Sequence, residues 1–190
     1  MKPWILGALW LSTLIPSAPV EAQRPISIGV AGGVSVPQGP LRNGANTGWH
    51  ALGALGLSSS YQPLGLRLDV AYNRFGSRDQ TYYRNGYETA TSATMNVTYR
   101  LPMTASPMSP YLISGLGAYR TACYLGAAVG GFDTDGGPSG CDGTHYGWNA
   151  GLGAKLFVLR VTSFVEARYH RTKSGGRHVN YFPISVGLML

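Results

Sequence analysis

The sequence predicts an all-β fold, a closed antiparallel eight-stranded transmembrane β-barrel, and three observations carry that prediction. From residue 23 onward apolar residues recur at every second position, charged residues make up only 12% of the chain, and the connections between alternating segments are by turns short and long. Alternation with period two marks a strand with two unlike faces. The 27 glycines and 12 tyrosines suit strands and turns better than helices. Short turns on one rim and long loops on the other describe a barrel of the bacterial outer membrane. At 190 residues the chain fits one domain and is short for a two-domain enzyme.

The first element stands apart from the barrel. Lys2 supplies a positive start, residues 4–14 are nearly all apolar, Pro16 and Pro19 interrupt the run, and Val20 and Ala22 flank Glu21 as small residues. This is the layout of a secretory signal peptide over residues 1–22, with cleavage after Ala22 and a barrel domain over 23–190. The apolar run falls short of the roughly 18 residues of a spanning anchor.

Eight segments follow, at residues 26–36, 49–61, 64–75, 87–101, 111–124, 145–158, 159–173 and 181–190. Each is close to or above the roughly 9–11 residues that a tilted strand needs to cross a bilayer. The second and third meet at Gln62-Pro63, the fourth and fifth across 102–110, and the sixth and seventh at 158–159, whereas 37–48, 76–86, 125–144 and 174–180 read as loops on the other rim. That arrangement puts both termini on the short-turn, periplasmic side. The uncharged stretches 43–66 and 101–119 are broken by Gly, Ser and Pro, including Pro102, Pro107 and Pro110, so they do not read as spanning helices.

Parity assigns the faces. Leu66, Leu68, Val70 and Tyr72 oppose Arg67, Asp69 and Asn73; Ala93, Met95, Val97 and Tyr99 oppose Thr94, Asn96, Thr98 and Arg100. Trp148, Ala150, Leu152, Ala154 and Leu156 oppose Asn149 and Lys155, and Val165, Ala167 and Tyr169 oppose Glu166, Arg168 and His170. The apolar faces end in Tyr or Trp, as interfacial girdles do. In the fifth segment Tyr111, Ile113 and Tyr119 compete with Leu112, Leu116 and Ala118 for the lipid. Parity sends Arg67, Asp69, Arg100, Lys155, Glu166 and Arg168 inward, where ion pairing must neutralise them. Gly56, Gly151 and Gly153 would leave them room. An eight-stranded barrel is only wide enough for its own side chains, so an internal polar plug is expected in place of a general pore.

Four segments carry a family resemblance: Ile28-Gly29-Val30-Ala31-Gly32-Gly33-Val34-Ser35-Val36-Pro37, Pro110-Tyr111-Leu112-Ile113-Ser114-Gly115-Leu116-Gly117-Ala118-Tyr119, Phe164-Val165-Glu166-Ala167-Arg168-Tyr169-His170 and Pro183-Ile184-Ser185-Val186-Gly187-Leu188. Together they resemble the OmpA-like outer-membrane β-barrel domain family across the chain from residue 23. Members of that family usually end on Phe or Trp, read by the barrel-assembly machinery; Leu190 stands in that place here.

Cys123 and Cys141 are the only cysteines and flank the longest loop, which favours a disulfide in an oxidising compartment over a metal pair. His50, His145, His170 and His178 lack metal-ligand spacing, and Asp133-Thr134-Asp135-Gly136 lacks the later ligands of a calcium loop, so no metal or cofactor is expected. The net charge of +7 predicts attraction to phosphate. In an exported barrel the expected partner is outer-membrane lipid and lipopolysaccharide, not nucleic acid. Arg74, Arg78, Arg84, Arg171, Lys173 and Arg177 fall at or beyond the loop ends of their strands, and Arg suits phosphate by its forked donors.

The expected function is therefore a non-enzymatic, monomeric barrel with a structural or surface-interaction role and no catalytic residues. Two alternatives stay open. One is a lipid-modifying enzyme resembling a lipid A deacylase, with Glu166, His170 and Thr172 as its constellation; the other is a small transport or adhesion barrel.

Overall fold

The computed structural model describes residues 26–58, 62–78, 83–84, 86–102, 108–124, 127–128, 143–158, 161–174 and 176–190; the expected signal segment lies outside them. In chain order the elements are β1 (Ile26–Gln38), α1 (Pro40–Gly44), β2 (Gly48–Ser58), β3 (Leu64–Gly76), β4 (Tyr83–Arg84), β5 (Tyr87–Arg100), β6 (Met108–Tyr124), β7 (Ala127–Ala128), β8 (Gly143–Val158), β9 (Val161–Ser174) and β10 (Arg177–Met189). Eight strands close into one barrel in the order β1-β10-β9-β8-β6-β5-β3-β2, and β4 pairs with β7 outside it. Every pairing is antiparallel. At the seam Ile28 and Leu190 exchange backbone hydrogen bonds of 2.9 and 2.8 Å, just past the register of β1 with β10. Closure leaves the barrel no open edge, the condition that hydrocarbon imposes on a spanning sheet.

The apolar side chains that would form the core of a water-soluble barrel lie on the outside. Val30, Leu68, Val70, Met95, Leu152 and Val186 are all exposed, while Arg67, Asp69, Asn96, Asn149, Glu166 and Arg168 are buried. Water would penalise such an inversion and a bilayer rewards it. The fifth expected segment now has a face: Leu116 is 71% exposed and Ile113 2%, with Tyr111 and Tyr119 also inside.

One expectation needs correction at the loop end. Residues 174–180 are not a long loop, because β9 runs to Ser174 and β10 starts at Arg177, paired with it. Gly176, just before Arg177, has φ +81°, the positive φ that a tight turn demands. The first loop carries the short helix α1, with Pro40 in its first turn. Leu41 of α1 is buried with Ala45, Phe75, Ala90, Tyr119, Val179 and Tyr181 in an apolar cluster across the loop end of the interior. A second cluster, Leu52, Ala54, Ala71, Phe164 and Met189, fills space beside the polar residues.

Candidate functional site

Four charged side chains from two strands meet inside the barrel. On β3, Arg67 and Asp69 share the inward face because they are two residues apart; on β9, Glu166 and Arg168 do the same. Arg67 Nε lies 2.9 Å from Asp69 Oδ1, and its Nη2 lies 2.8 Å from Glu166 Oε1. Arg168 completes the ring, with Nη1 2.8 Å from Asp69 Oδ2 and Nε 2.6 Å from Glu166 Oε1. Two guanidinium groups against two carboxylates make the cluster neutral. Tyr111 donates to Glu166 Oε2 at 2.7 Å, and Asn96 donates to Asp69 Oδ2 at 2.9 Å. Asn149 in turn donates to Asn96 Oδ1 at 2.8 Å, so the polar cross-section reaches β5, β6 and β8.

Two residues expected in this cluster stand apart from it. Arg100 is exposed and donates to the Gln62 carbonyl at 3.1 Å; its inward phase counts for nothing because it is the last residue of β5, at the short-turn rim. Lys155 is half-buried, with Nζ 5.9 Å from the centroid of the Tyr111 ring. Parity gives a side chain its direction but not its height along the barrel. Of the glycines, Gly151 and Gly153 do make room, the first for Arg168 and the second for Tyr111, whereas Gly56 faces Ser27.

Sequence reading missed a second polar layer. Ser35 donates to Asn73 Oδ1 at 2.7 Å, which uses its only proton, so His50 Nδ1 donates to Ser35 Oγ at 3.1 Å. His50 Nε2 then accepts from Ser185 Oγ at 2.8 Å. This resembles a nucleophile beside a base, but both residues are buried, and the chain ties β1, β2, β3 and β10 together. Only the barrel register brings these residues together.

Glu166, His170 and Thr172 all point inward and are buried. Glu166 is engaged by Arg67, Arg168 and Tyr111; His170 Nδ1 bonds the Tyr119 hydroxyl at 3.1 Å; Thr172 donates to the Tyr146 carbonyl at 3.3 Å. Each has its own partners, and none of those bonds joins the three into a relay of the kind a nucleophile needs.

The basic residues of the loop end occupy different settings. Arg74, Arg171 and Lys173 are exposed on outward strand positions; Arg78 donates to the Arg42 carbonyl at 3.0 Å and so fastens α1. Arg177 is exposed at the start of β10 in the inward phase, and of Arg84 only the backbone, paired with Ala127, is described. Arg120, exposed on the outward face of β6, joins this group.

Cys123 pairs in register with Glu88 near the end of β6, and Cys141 lies outside the described residues. Closing that loop is expected to contribute about 3 kcal/mol. Protein extracted from envelopes under non-reducing conditions should show no free thiol until a reductant is added, and two free thiols would refute the bond.

No family model and no curated protein matches the chain. Among solved structures it is similar to Neisserial surface protein A (NspA), with 18% identity and a TM-score of 0.65 over 87% of this chain and 96% of that one. It is also similar to the outer membrane protein OprG from Pseudomonas aeruginosa, with 13% identity and a TM-score of 0.53 over 86% and 95%. At these identities the likeness is one of fold. The fold is that of small outer-membrane barrels, in agreement with the OmpA-like resemblance.

Proposed function

We propose that the protein spans the outer membrane of a bacterium as a solute-tight, monomeric barrel with a structural or surface-interaction role and no enzymatic activity. On this reading both termini face the periplasm and the barrel-assembly machinery inserts the chain. The observation that carries it is the inverted packing: a lipid-compatible exterior around an interior filled by a neutral ion cluster and capped by the apolar cluster of Leu41, Phe75 and Tyr181. Side chains packed against and paired with one another leave little room for a hydrated path.

Reconstitution into planar bilayers tests the reading. The folded protein, recognised by a gel mobility that changes on boiling, is expected to give no steady conductance above the bare membrane. Discrete, long-lived channel openings would contradict a sealed interior, and acyl chains released from lipopolysaccharide by the same sample would contradict the absence of an enzyme.

A further inference from the structure

The outward faces of the strands carry, among the described residues, charge of one sign only. Among the described residues, outward strand positions hold the exposed cations Arg74, Arg120, Arg171 and Lys173. The described carboxylates Asp69, Glu88 and Glu166 all occupy inward-phase positions, Glu88 in step with buried Ala90 and Ser92. All four cations sit toward the loop end, beside aromatic side chains of the kind that mark a membrane interface: Trp49, Tyr72, Tyr87 and Tyr124 on one side, Tyr146, Trp148 and Tyr169 on the other.

The charges are most crowded on β9 and β10. Arg171 and Lys173 are two residues apart on one face, so their side chains leave the strand side by side. Register sets His178 directly opposite Lys173 and Asn180 opposite Arg171, with Trp148 opposite Arg171 on β8. Arg171 Nη2 comes within 3.5 Å of His178 Nε2. Arg74 differs, since its guanidinium lies 4.0 Å over the Tyr87 ring, which stacks on Tyr124 at 4.6 Å. Two cations leaving one strand side by side repel each other, and an anion held between them offsets that repulsion.

We propose that Arg171, Lys173 and His178 bind a phosphate of a phosphorylated glycolipid in the outer leaflet. The proposal rests on the membrane reading above and adds the partner. A lipid is the occupant in place of free phosphate because the site opens sideways next to Trp148 and Tyr169, whose rings lie 5.7 Å apart, not into the barrel. A guanidinium fork and an ammonium together match a phosphate monoester's oxygens.

The full chain in phosphatidylcholine nanodiscs is titrated with diphosphorylated lipid A, with the same lipid stripped of phosphate, and with inorganic phosphate. Binding should be strongest for the phosphorylated lipid, and R171Q/K173Q should weaken it roughly thirty-fold, the loss of two charge-assisted bonds at about 1 kcal/mol each. R74Q should change it less, its charge already resting on Tyr87. Equal binding of the stripped lipid, an unchanged affinity in a double variant with native gel mobility, or inorganic phosphate competing at equal concentration would overturn the site while leaving the barrel reading intact. Failure of the unsubstituted chain to fold into the bilayer would overturn the membrane reading itself and this site with it.

Discussion

Replacing Glu166 by Ala is expected to lower the unfolding free energy by about 3–5 kcal/mol, the cost of breaking a buried pair from one side. The carboxylate holds Arg67 and Arg168 at once and accepts the Tyr111 hydroxyl. Its removal leaves two buried guanidinium groups sharing Asp69, with one positive charge uncompensated where water cannot reach. The loss comes from that orphaned charge more than from any large net contribution of the intact cluster. Removing one charge of each sign, Glu166→Leu with Arg168→Met, should therefore cost much less than Glu166→Ala alone, because Arg67 and Asp69 remain as a neutral pair. Urea unfolding in lipid vesicles, followed by the strand signal in circular dichroism and by gel mobility, checks both variants. A double variant as unstable as the single one would show that packing, not charge balance, sets the cost.

The cluster was legible in the sequence because two solvents act on the two faces of each strand. Lipid outside selects Leu66 and Leu68 while the paired interior selects Arg67 and Asp69, so hydropathy alternates and parity reads it. The same logic failed on β6, where Tyr111, Ile113 and Tyr119 are inside. There the interior is itself partly apolar, Tyr119 packing with Leu41, Phe75 and Tyr181, so both faces of the strand carry similar side chains. The five-residue helix α1 is too short to show a helical period. The tight connection after Ser174 turns on Gly176, whose positive φ only a structure reveals, so the sequence reading left 174–180 among the loops of that rim. The Ser35, His50, Asn73 and Ser185 chain comes from four strands, and no spacing in sequence encodes the register that joins them.

Two glycines that look alike in sequence are expected to answer oppositely to the same substitution. Gly53 and Gly151 both lie inside strands, and neither has a positive φ, so valine is conformationally acceptable at both. A Cβ on Gly53 meets nothing within 4 Å, and its register partners Val30 and Val70 are exposed on the lipid face. A Cβ on Gly151 would collide with the Ala167 carbonyl oxygen and come within 2.6 Å of Arg168 Cγ and 2.7 Å of its Cα. Arg168 is opposite Gly151 in register and cannot retreat without leaving Asp69 and Glu166. Overpacking costs about 1–3 kcal/mol by itself, and displacing a guanidinium from two carboxylates adds to it. Gly151→Val should thus lose roughly 4 kcal/mol or fail to fold, whereas Gly53→Val should stay within about 0.5 kcal/mol of the parent, as a β-branched side chain facing lipid. Side-by-side urea titration in the same vesicles measures both. A Gly151→Val barrel as stable as the Gly53→Val barrel would mean that Arg168 has slack, and that the close approach of β8 to β9 at this level is not what holds the ion cluster in place.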